Sequence, residues 1–311
     1  MNKGFLCILF ATIFFSSMEI VLKVGCASFH PLQITFLRFF IGAIILIPFA
    51  MKEMKRRGVI PSKKDLAFFA IQGFVVVVIS MIFFQMAVIY GHASVVAVLF
   101  CSNPVFITIF AYFILHQPVT KMNLLSLLFS IVGIVCIMNP ANMGEETLGI
   151  VFMLLSAITF AFYAVVGETR TRYGAFGRTC LSFLLGSLEL LVLILLTNTT
   201  PVANFLASIG MEKYAYTPSL TGINSSNILA LLYVGICVTG LGYTFYFLVM
   251  QDISPAMASL VFFIKPVLAT AMAYFLINDP IKPNMILGIG FLLGGSLITL
   301  VPKLKKSETK K

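Results

Sequence analysis

Long apolar runs, separated by short polar stretches, cover almost the whole sequence. A helix that crosses a bilayer core of about 30 Å needs about 20 residues, because each residue adds about 1.5 Å. Ten runs have roughly this length, and none alternates between apolar and polar residues as a barrel strand would. The pattern therefore predicts an all-α integral membrane protein with ten transmembrane helices, at residues 5–22, 32–51, 67–89, 95–115, 122–139, 148–167, 180–197, 227–249, 256–276 and 284–301.

The composition excludes a water-soluble globular protein. Hydrophobic residues make up 60% of the chain and charged residues 10%, whereas soluble domains carry about 25% charged residues. The first apolar run contains Glu19, so we interpret it as helix 1 and not as a cleaved signal peptide. The six cysteines lie in or beside apolar runs without paired spacing, which favours core packing over a metal site or a disulfide framework.

The stretch from Ser254 to Pro302 is an imperfect second copy of the stretch from His92 to Pro140. At an offset of 162 residues, 12 of the 49 aligned positions are identical without a gap. Many of the shared residues are those that punctuate helices, which is harder to produce by chance than a similar apolar composition. The identical pairs include the prolines and glycines Pro104/Pro266, Pro118/Pro280 and Gly133/Gly295, and also Thr108/Thr270 and Ala111/Ala273. Each copy predicts a helical hairpin with a short polar turn.

The duplication extends to five helices on each side, since Gly73 and Gly235 keep the same offset in helices 3 and 8. Because five is an odd number, the second copy must start from the opposite face of the membrane. This is the inverted-topology repeat of many secondary transporters. An external loop at 198–226 has no counterpart in the first half. The predicted units are a first five-helix repeat at 1–140, an external linker at 141–147, a second five-helix repeat at 148–302 and a basic cytoplasmic tail at 303–311.

The net charge of +10 is distributed as in a membrane protein and not as in a nucleic-acid-binding protein. Cytoplasmic loops are enriched in Lys and Arg. With the N-terminus inside, 16 of the 21 basic residues fall on the cytoplasmic side and only Lys213 and Lys282 fall outside. We therefore expect a multi-pass protein of the plasma or inner membrane with both termini in the cytoplasm. Its expected partners are the lipid bilayer and a small-molecule substrate.

This arrangement resembles the EamA family of the drug/metabolite transporter superfamily. The segment 36–39 (Phe-Leu-Arg-Phe) is similar to a family segment in helix 2, and 254–256 (Ser-Pro-Ala) with Lys265-Pro266 is similar to one in helices 8 and 9. The chain departs from the family at Lys265, Gln117 and Asp279, where members often have Glu. The resemblance implies transport of amino acids, other metabolites, drugs or cofactors, through a cavity lined mainly by helices 1, 3, 4, 6, 8 and 9.

Five charged residues lie within or at the edge of the predicted membrane spans: Glu19, Lys23, Arg38, Glu189 and Lys265. Such groups are costly in a bilayer and usually face the bundle interior. Depth alone lets Glu19 meet Arg38, either as a structural ion pair or as an outer gate, and Lys23 can join them or reach the headgroups. Glu189 and Lys265 lie near the middle of helices 7 and 9. They can pair with each other, or Lys265 can face the substrate.

Substrate binding is expected near the middle of the membrane, where Pro104 and Pro266 free backbone carbonyls in matching helices. The hypothesis is that Lys265 anchors an anionic or zwitterionic substrate. The neighbouring candidates are Asn103, Tyr163, Tyr243 and Tyr246, and ordinary helix packing is the alternative for each tyrosine. A GxxxG pattern at Gly290 and Gly294 favours close helix packing, within the bundle or in a homodimer.

These features predict a secondary active transporter that exports a small polar, amino-acid-like metabolite by alternating access. A multidrug or lipophilic-compound exporter and a cofactor or vitamin importer are alternatives within transport, and a membrane scaffold is the alternative outside it. The spans show no nucleophile–base pair, no Walker loop and no metal-ligand spacing, so neither an enzyme, a cofactor nor ATP-driven transport is expected.

The charge distribution makes a direct prediction of topology. Single cysteines introduced at Lys55 and Lys306, in a background without native cysteines, should react with an impermeant maleimide only from the cytoplasm. A cysteine at Tyr214 should react only from outside. Labelling of positions 55 and 214 from the same face would contradict the inverted repeat.

Overall fold

The structure is a computed structural model that describes residues 3–138, 146–208, 210–252 and 255–308. Its described residues form helices joined by short turns, and no strand occurs among them. The α-helices are α1 (Lys3–Ile20), α2 (Pro31–Arg57), α3 (Lys63–Gly73), α4 (Met81–Tyr90), α5 (Ala93–Phe100), α6 (Asn103–Leu115), α7 (Lys121–Met138), α8 (Glu146–Gly167), α9 (Gly174–Thr197), α10 (Thr200–Ser208), α11 (Ile228–Leu232), α12 (Tyr243–Asp252), α13 (Pro255–Ile277) and α14 (Pro283–Glu308). Three π-helical segments continue α1, join α3 to α4 and join α11 to α12, at Val21–Gly25, Phe74–Ser80 and Tyr233–Gly242.

Seven helical stretches among the described residues are long and apolar enough to cross a membrane. One of them, Thr147–Thr197, contains both α8 and α9, which a 3₁₀ turn at Glu168–Tyr173 connects. Two shorter apolar helices lie at Lys121–Ile137 and Pro283–Ile298. The predicted membrane-type helical fold is thus confirmed, while the number of ten crossings and the orientation of the termini stay predictions.

Helices from the two halves of the sequence pack closely against each other at glycines, which have no side chain to keep the backbones apart. A Cβ on Gly73 would lie 2.5 Å from the backbone nitrogen of Gly186, so α3 and α9 touch through their backbones. On the other side, a Cβ on Gly235 would lie 2.9 Å from the Ile41 side chain in α2. Gly73 directly precedes a π-helical segment, and Gly235 lies within another. The core is therefore formed by the two halves together.

The two predicted hairpin turns are built alike. His116 and Asn278 end their helices with left-handed backbone, at φ 52° and 54°. After each of them, the next residue donates its backbone N–H to a carbonyl six residues earlier, at 3.2 Å in both turns: Gln117 to Ala111 and Asp279 to Ala273. All three pairs of residues are related by the offset of 162 found in the sequence. The duplication thus reaches the backbone geometry of the turns.

The two prolines expected to produce equivalent kinks differ in the structure. Pro266 lies inside the continuous helix α13, whereas the helix before Pro104 is interrupted by a turn at Cys101–Ser102. Pro104 sits in the first turn of the new helix α6, a position that does not need the missing N–H. The side chain of Ser102 donates to the carbonyl oxygen of Leu99 at 2.7 Å and closes α5. The two prolines thus lie at different kinds of position, one beside a helix break and one inside a continuous helix.

The end of the bundle that carries residues 52–64 and 167–178, called the basic end, is held by a buried carboxylate. Glu53 in α2 accepts hydrogen bonds from the backbone N–H of Phe176 at 2.9 Å and from Gln251 in α12 at 2.6 Å. An anion is favourable there because the N-terminus of α9 carries a partial positive charge. Gly174 has no side chain and a φ of 71°, and a Cβ on it would collide with this carboxylate. One side chain thus ties three helices together.

The loop at 198–226 packs onto the opposite end of the bundle. It contains α10 and a 3₁₀ turn at Glu212–Tyr214. Gln33 in α2 donates to the carbonyl oxygen of Thr221 at 2.7 Å, and the Tyr214 hydroxyl contacts the sulfur of Met86 in α4. The predicted linker residues 141–145, with Pro140, Ser254 and the tail residues 309–311, lie outside the described residues.

The glycine contact between α3 and α9 predicts that adding one methyl group at Gly73 strongly lowers the stability of the protein. Gly73→Ala should destabilise the protein by about 1–3 kcal/mol, because the two backbones must separate. Gly290→Ala is the matched control, since no atom of the described residues lies within 4 Å of a Cβ at that position. The thermal unfolding midpoint of the detergent-purified variants measures both. Equal midpoints for the two variants would contradict the contact.

Candidate functional site

A cavity of about 520 Å³ runs from the basic end into the middle of the bundle. Gln117, Pro118 and Glu168 line it at the basic end, and the Glu168 side chain is 51% exposed there. Its inner end is lined by the rings of Phe100, Tyr243 and Phe262. Pockets of about 300–1,000 Å³ are typical of small-molecule sites. We call this space the central cavity.

The break between α5 and α6 places a helix N-terminus at the wall of the central cavity. Asn103, Pro104 and Val105, which begin α6, all line it. The N-terminus of a helix carries a partial positive charge, and discontinuous helices of this kind provide anion sites in membrane transporters. The interruption thus gives the cavity a polar wall within the apolar span 95–115.

Two buried amide side chains line the central cavity without a partner for their oxygen atoms. Gln72 in α3 is 2% exposed and Asn103 is 7% exposed, and neither side-chain oxygen accepts a hydrogen bond from any residue that the structure describes. A buried acceptor without a donor is costly, by about 1–3 kcal/mol. A substrate with N–H or O–H groups can supply the donors. The amides are therefore suited to bind the polar part of a ligand.

Aromatic rings form much of the remaining wall. The three tyrosines singled out in the sequence, Tyr163, Tyr243 and Tyr246, all line the central cavity. Tyr246 lies edge-on to Phe262, with ring centroids 5.3 Å apart. Tyr243 contacts Phe183 in the same way at 5.2 Å. These packed rings offer a rigid apolar surface next to the amides.

The charged residues that line the central cavity form an ion pair near its mouth. Arg178 in α9 contacts the carboxylate of Glu168 at 2.8 Å and also donates to the carbonyl oxygen of Gly167 at 2.7 Å. Both partners are already occupied. Among the described residues, a ligand in the cavity therefore meets polar amides and aromatic rings, whereas the charged side chains of the wall are already paired with each other.

Lys265 forms a buried ion pair with Glu19 and not with Glu189. The Lys265 nitrogen lies 2.7 Å from a Glu19 oxygen, and both side chains are 1% exposed. The reason is packing, because α13 lies against α1 and α5. Lys265 also lies over the Phe100 ring, 4.8 Å from its centroid. Glu189 is half-buried in α9, with one oxygen lacking a partner in the described structure.

Arg38 does not meet Glu19, contrary to the expectation from depth. It is 1% exposed, and its terminal nitrogens contact the sulfurs of Met18 and Met81 at 3.4 and 3.3 Å. Its Nε atom has no partner in the described structure. Glu19 uses one oxygen for Lys265, and its other oxygen has no hydrogen-bond partner in the described part of the chain. Lys23 is also separate, because it donates to the backbone carbonyl of Gly91. We call Glu19, Arg38 and Lys265 the charge layer.

The end opposite the basic end is closed by a second carboxylate. Asp279, in the turn between α13 and α14, accepts hydrogen bonds from the N–H and the hydroxyl of Ser94 at 3.0 and 2.8 Å. Its other oxygen pairs with His92. This contact joins the turn of the second hairpin to the start of α5. Exposed residues line the central cavity at the basic end, and the rings of Phe100, Tyr243 and Phe262 end it inside the bundle, so we describe it as open at the basic end and closed at the other.

The structure brings Asn103 and the three tyrosines into one cavity but places Lys265 behind it. Phe100, Tyr243 and Phe262 line both the central cavity and a small cavity beside Lys265. Sequence reasoning missed Gln72, Arg178 and the two phenylalanines. A signal was present for Phe100 and Phe262, since they are identical at the offset of 162. The sequence signal for Gln72 is only that it is a polar residue within the apolar run 67–89.

The chain is similar to known membrane transporters. The profile of the EamA-like transporter family matches residues 2–139 and 147–301. An uncharacterized transporter of Clostridium kluyveri is 36% identical, with 100% of this chain and 97% of that protein covered. The uncharacterized inner membrane transporter YedA of Escherichia coli K12 is 22% identical over 94% and 88% of the two chains. A solved crystal structure has a similar fold, with a TM-score of 0.64 at 15% identity and 96% of each chain covered.

The buried ion pair predicts strong coupling between its partners. Glu19→Gln or Lys265→Met alone should cost about 3–5 kcal/mol, because each leaves an uncompensated charge in the bundle. The double variant should cost clearly less than the sum. A double-mutant cycle on thermal unfolding in detergent measures this. Additive effects would show that the two groups are not paired.

Proposed function

The chain belongs to the EamA-like transporter family, and we propose on that premise that it is a secondary active transporter that exports a small polar, amino-acid-like metabolite. Membership of this family supports a multi-pass membrane protein that acts on a small-molecule substrate. The substrate class, the direction and the alternating-access mechanism are our proposal.

One observation carries the proposal: the central cavity is open at one end and closed at the other. Its volume of about 520 Å³ suits a molecule of amino-acid size. The inner end reaches the middle of the bundle, where the interrupted helix α5–α6 lies. Alternating access requires a site of this kind, accessible from one side at a time.

The wall of the central cavity complements a zwitterion better than a simple ion. The amide oxygens of Gln72 and Asn103 can accept hydrogen bonds from an ammonium group. The N-terminal turn of α6 can receive a carboxylate. The rings of Tyr163 and Tyr246 can pack against an apolar side chain. Lys265, with its charge already compensated by Glu19, acts in this proposal as a barrier group next to the site.

In the proposed topology, the protein lies in the plasma or inner membrane. The basic end then faces the cytoplasm. Residues 1–140 and 148–302 then form two inverted repeats, joined by the external linker at 141–147. In this proposed topology, the central cavity opens at the end that faces the cytoplasm. Export proceeds when the halves move so that the basic end closes and the contact of Asp279 with His92 and Ser94 opens.

Filling the central cavity should stop transport without unfolding the protein. Ser182 lines the cavity from α9, and Ser182→Trp places a large ring in it. Leu188→Trp is the matched control, because Leu188 lies on the same helix and is 42% exposed on the outer surface. We expect the first variant to abolish uptake into proteoliposomes, and the second to transport at nearly the wild-type rate. Normal transport by Ser182→Trp would remove the cavity from the mechanism.

The substrate class is tested with purified protein in sealed proteoliposomes and a panel of labelled amino acids, nucleosides, vitamins and organic acids. The proposal expects counterflow of at least one zwitterionic amino acid. Asn103→Ala and Gln72→Ala should each raise the concentration needed for half-maximal counterflow. Flux of lipophilic cations alone would favour the multidrug alternative.

A further inference from the structure

The charge layer encloses a second, much smaller cavity that the proposed transport does not use. Its volume is about 20 Å³, and Arg38 and Lys265 are the charged residues that line it. The rest of its wall is formed mainly by aromatic and apolar side chains, among them Phe39, Phe84 and Met81. A single water-sized species needs about 10–15 Å³. The space therefore suits one atom or a very small ion.

The charge layer has an excess of one positive charge. Glu19 compensates Lys265 at 2.7 Å, but Arg38 has no carboxylate partner among the described residues. Thioether sulfurs are weak acceptors, so Met18 and Met81 satisfy the guanidinium poorly. The rings of Phe39 and Phe84 lie 4.7 and 5.5 Å from its central carbon and add cation–π attraction, but they bring no negative charge.

This excess charge cannot be removed by loss of a proton from Arg38, because arginine remains protonated in proteins. A buried charge without a counter-charge is strongly unfavourable in an apolar interior. An anion next to Arg38 would compensate this positive charge. The size of the small cavity limits that anion to a monoatomic or similarly small species. A whole substrate molecule does not fit.

We propose that Arg38 and Lys265 bind a small monovalent anion, of the size of chloride, in this cavity. The Arg38 Nε–H, for which the described residues provide no acceptor, donates to the ion. The Lys265 ammonium contributes its remaining hydrogens while it stays paired with Glu19. The ion reaches the site from the central cavity, since Phe100, Tyr243 and Phe262 line both spaces. Its binding neutralises the charge layer and stabilises the closed end of the bundle.

The test is the thermal unfolding midpoint of the full chain in detergent, in sodium gluconate buffer at constant ionic strength. Chloride or bromide should raise the midpoint in a saturable way, on the order of 5 °C, because a ligand that binds only the folded state stabilises it. Equilibrium dialysis with radiolabelled chloride should give one ion bound per chain. Absence of both effects in the wild-type protein would overturn the proposal.

Two variants separate the charge layer from general salt effects. Arg38→Met leaves the pair of Glu19 and Lys265 intact and the net charge zero, so the chloride shift should be lost. The double variant Glu19→Gln/Lys265→Met keeps the charge of Arg38 but removes one ligand of the ion, so the shift should remain and should need a higher chloride concentration. Arg172→Met is the control, because Arg172 is a half-exposed arginine that pairs with Asp65 at the basic end. A chloride shift that survives Arg38→Met would contradict the site.

The anion can also come from a carboxylate group that reaches past the rings of the central cavity. Sodium acetate in place of chloride distinguishes the two sources. If halides stabilise the protein and acetate does not, the site is a halide site as proposed. Stabilisation by acetate alone would overturn the proposal and assign Arg38 to substrate binding. These binding measurements do not depend on whether the protein transports an amino acid.

Discussion

The ion pair of Glu19 and Lys265 is the interaction on which the arrangement of the bundle depends. It joins α1 to α13 at full burial, and removal of either partner leaves a charge in an interior that cannot solvate it. The pair fixes the rotation of both helices about their axes. Phe100 and Phe262 are thereby held at the inner end of the central cavity, where they separate it from Arg38. The closed end of the cavity is therefore defined by electrostatics as much as by packing.

The sequence predicted the helices well because the bilayer imposes their length and apolarity. It also predicted the repeated turns, since a left-handed residue and a following proline leave a recognisable pattern. The partners of Glu19 and Lys265 could not be predicted in this way. Run length gives the depth of a residue in the membrane but not the direction of its side chain around the helix axis. Glu19 and Arg38 were close in predicted depth, yet they do not form an ion pair.

The candidate site was predictable only in part, for a related reason. Asn103 and the three tyrosines were found because polar residues are rare in these spans. The different roles of Pro104 and Pro266 were not, although the two prolines occupy equivalent positions. The preceding residues differ: Ser102 and Asn103 can bond to local backbone and end a helix, whereas Ile264 and Lys265 continue one. The same proline thus starts a helix in one copy and lies inside a helix in the other.

The two hairpin turns have equivalent backbones but different side chains, and this makes the two ends of the molecule thermodynamically unequal. Asp279 presents a carboxylate to the N-terminus of α5, and such charge-assisted hydrogen bonds are about twice as strong as neutral ones. Gln117, at the equivalent position of the other turn, is neutral and lies exposed at the mouth of the cavity. A contact made by Gln117 at the basic end is intrinsically weaker. Within the proposed mechanism, this difference in hydrogen-bond strength favours the conformation with the basic end open when no substrate is bound.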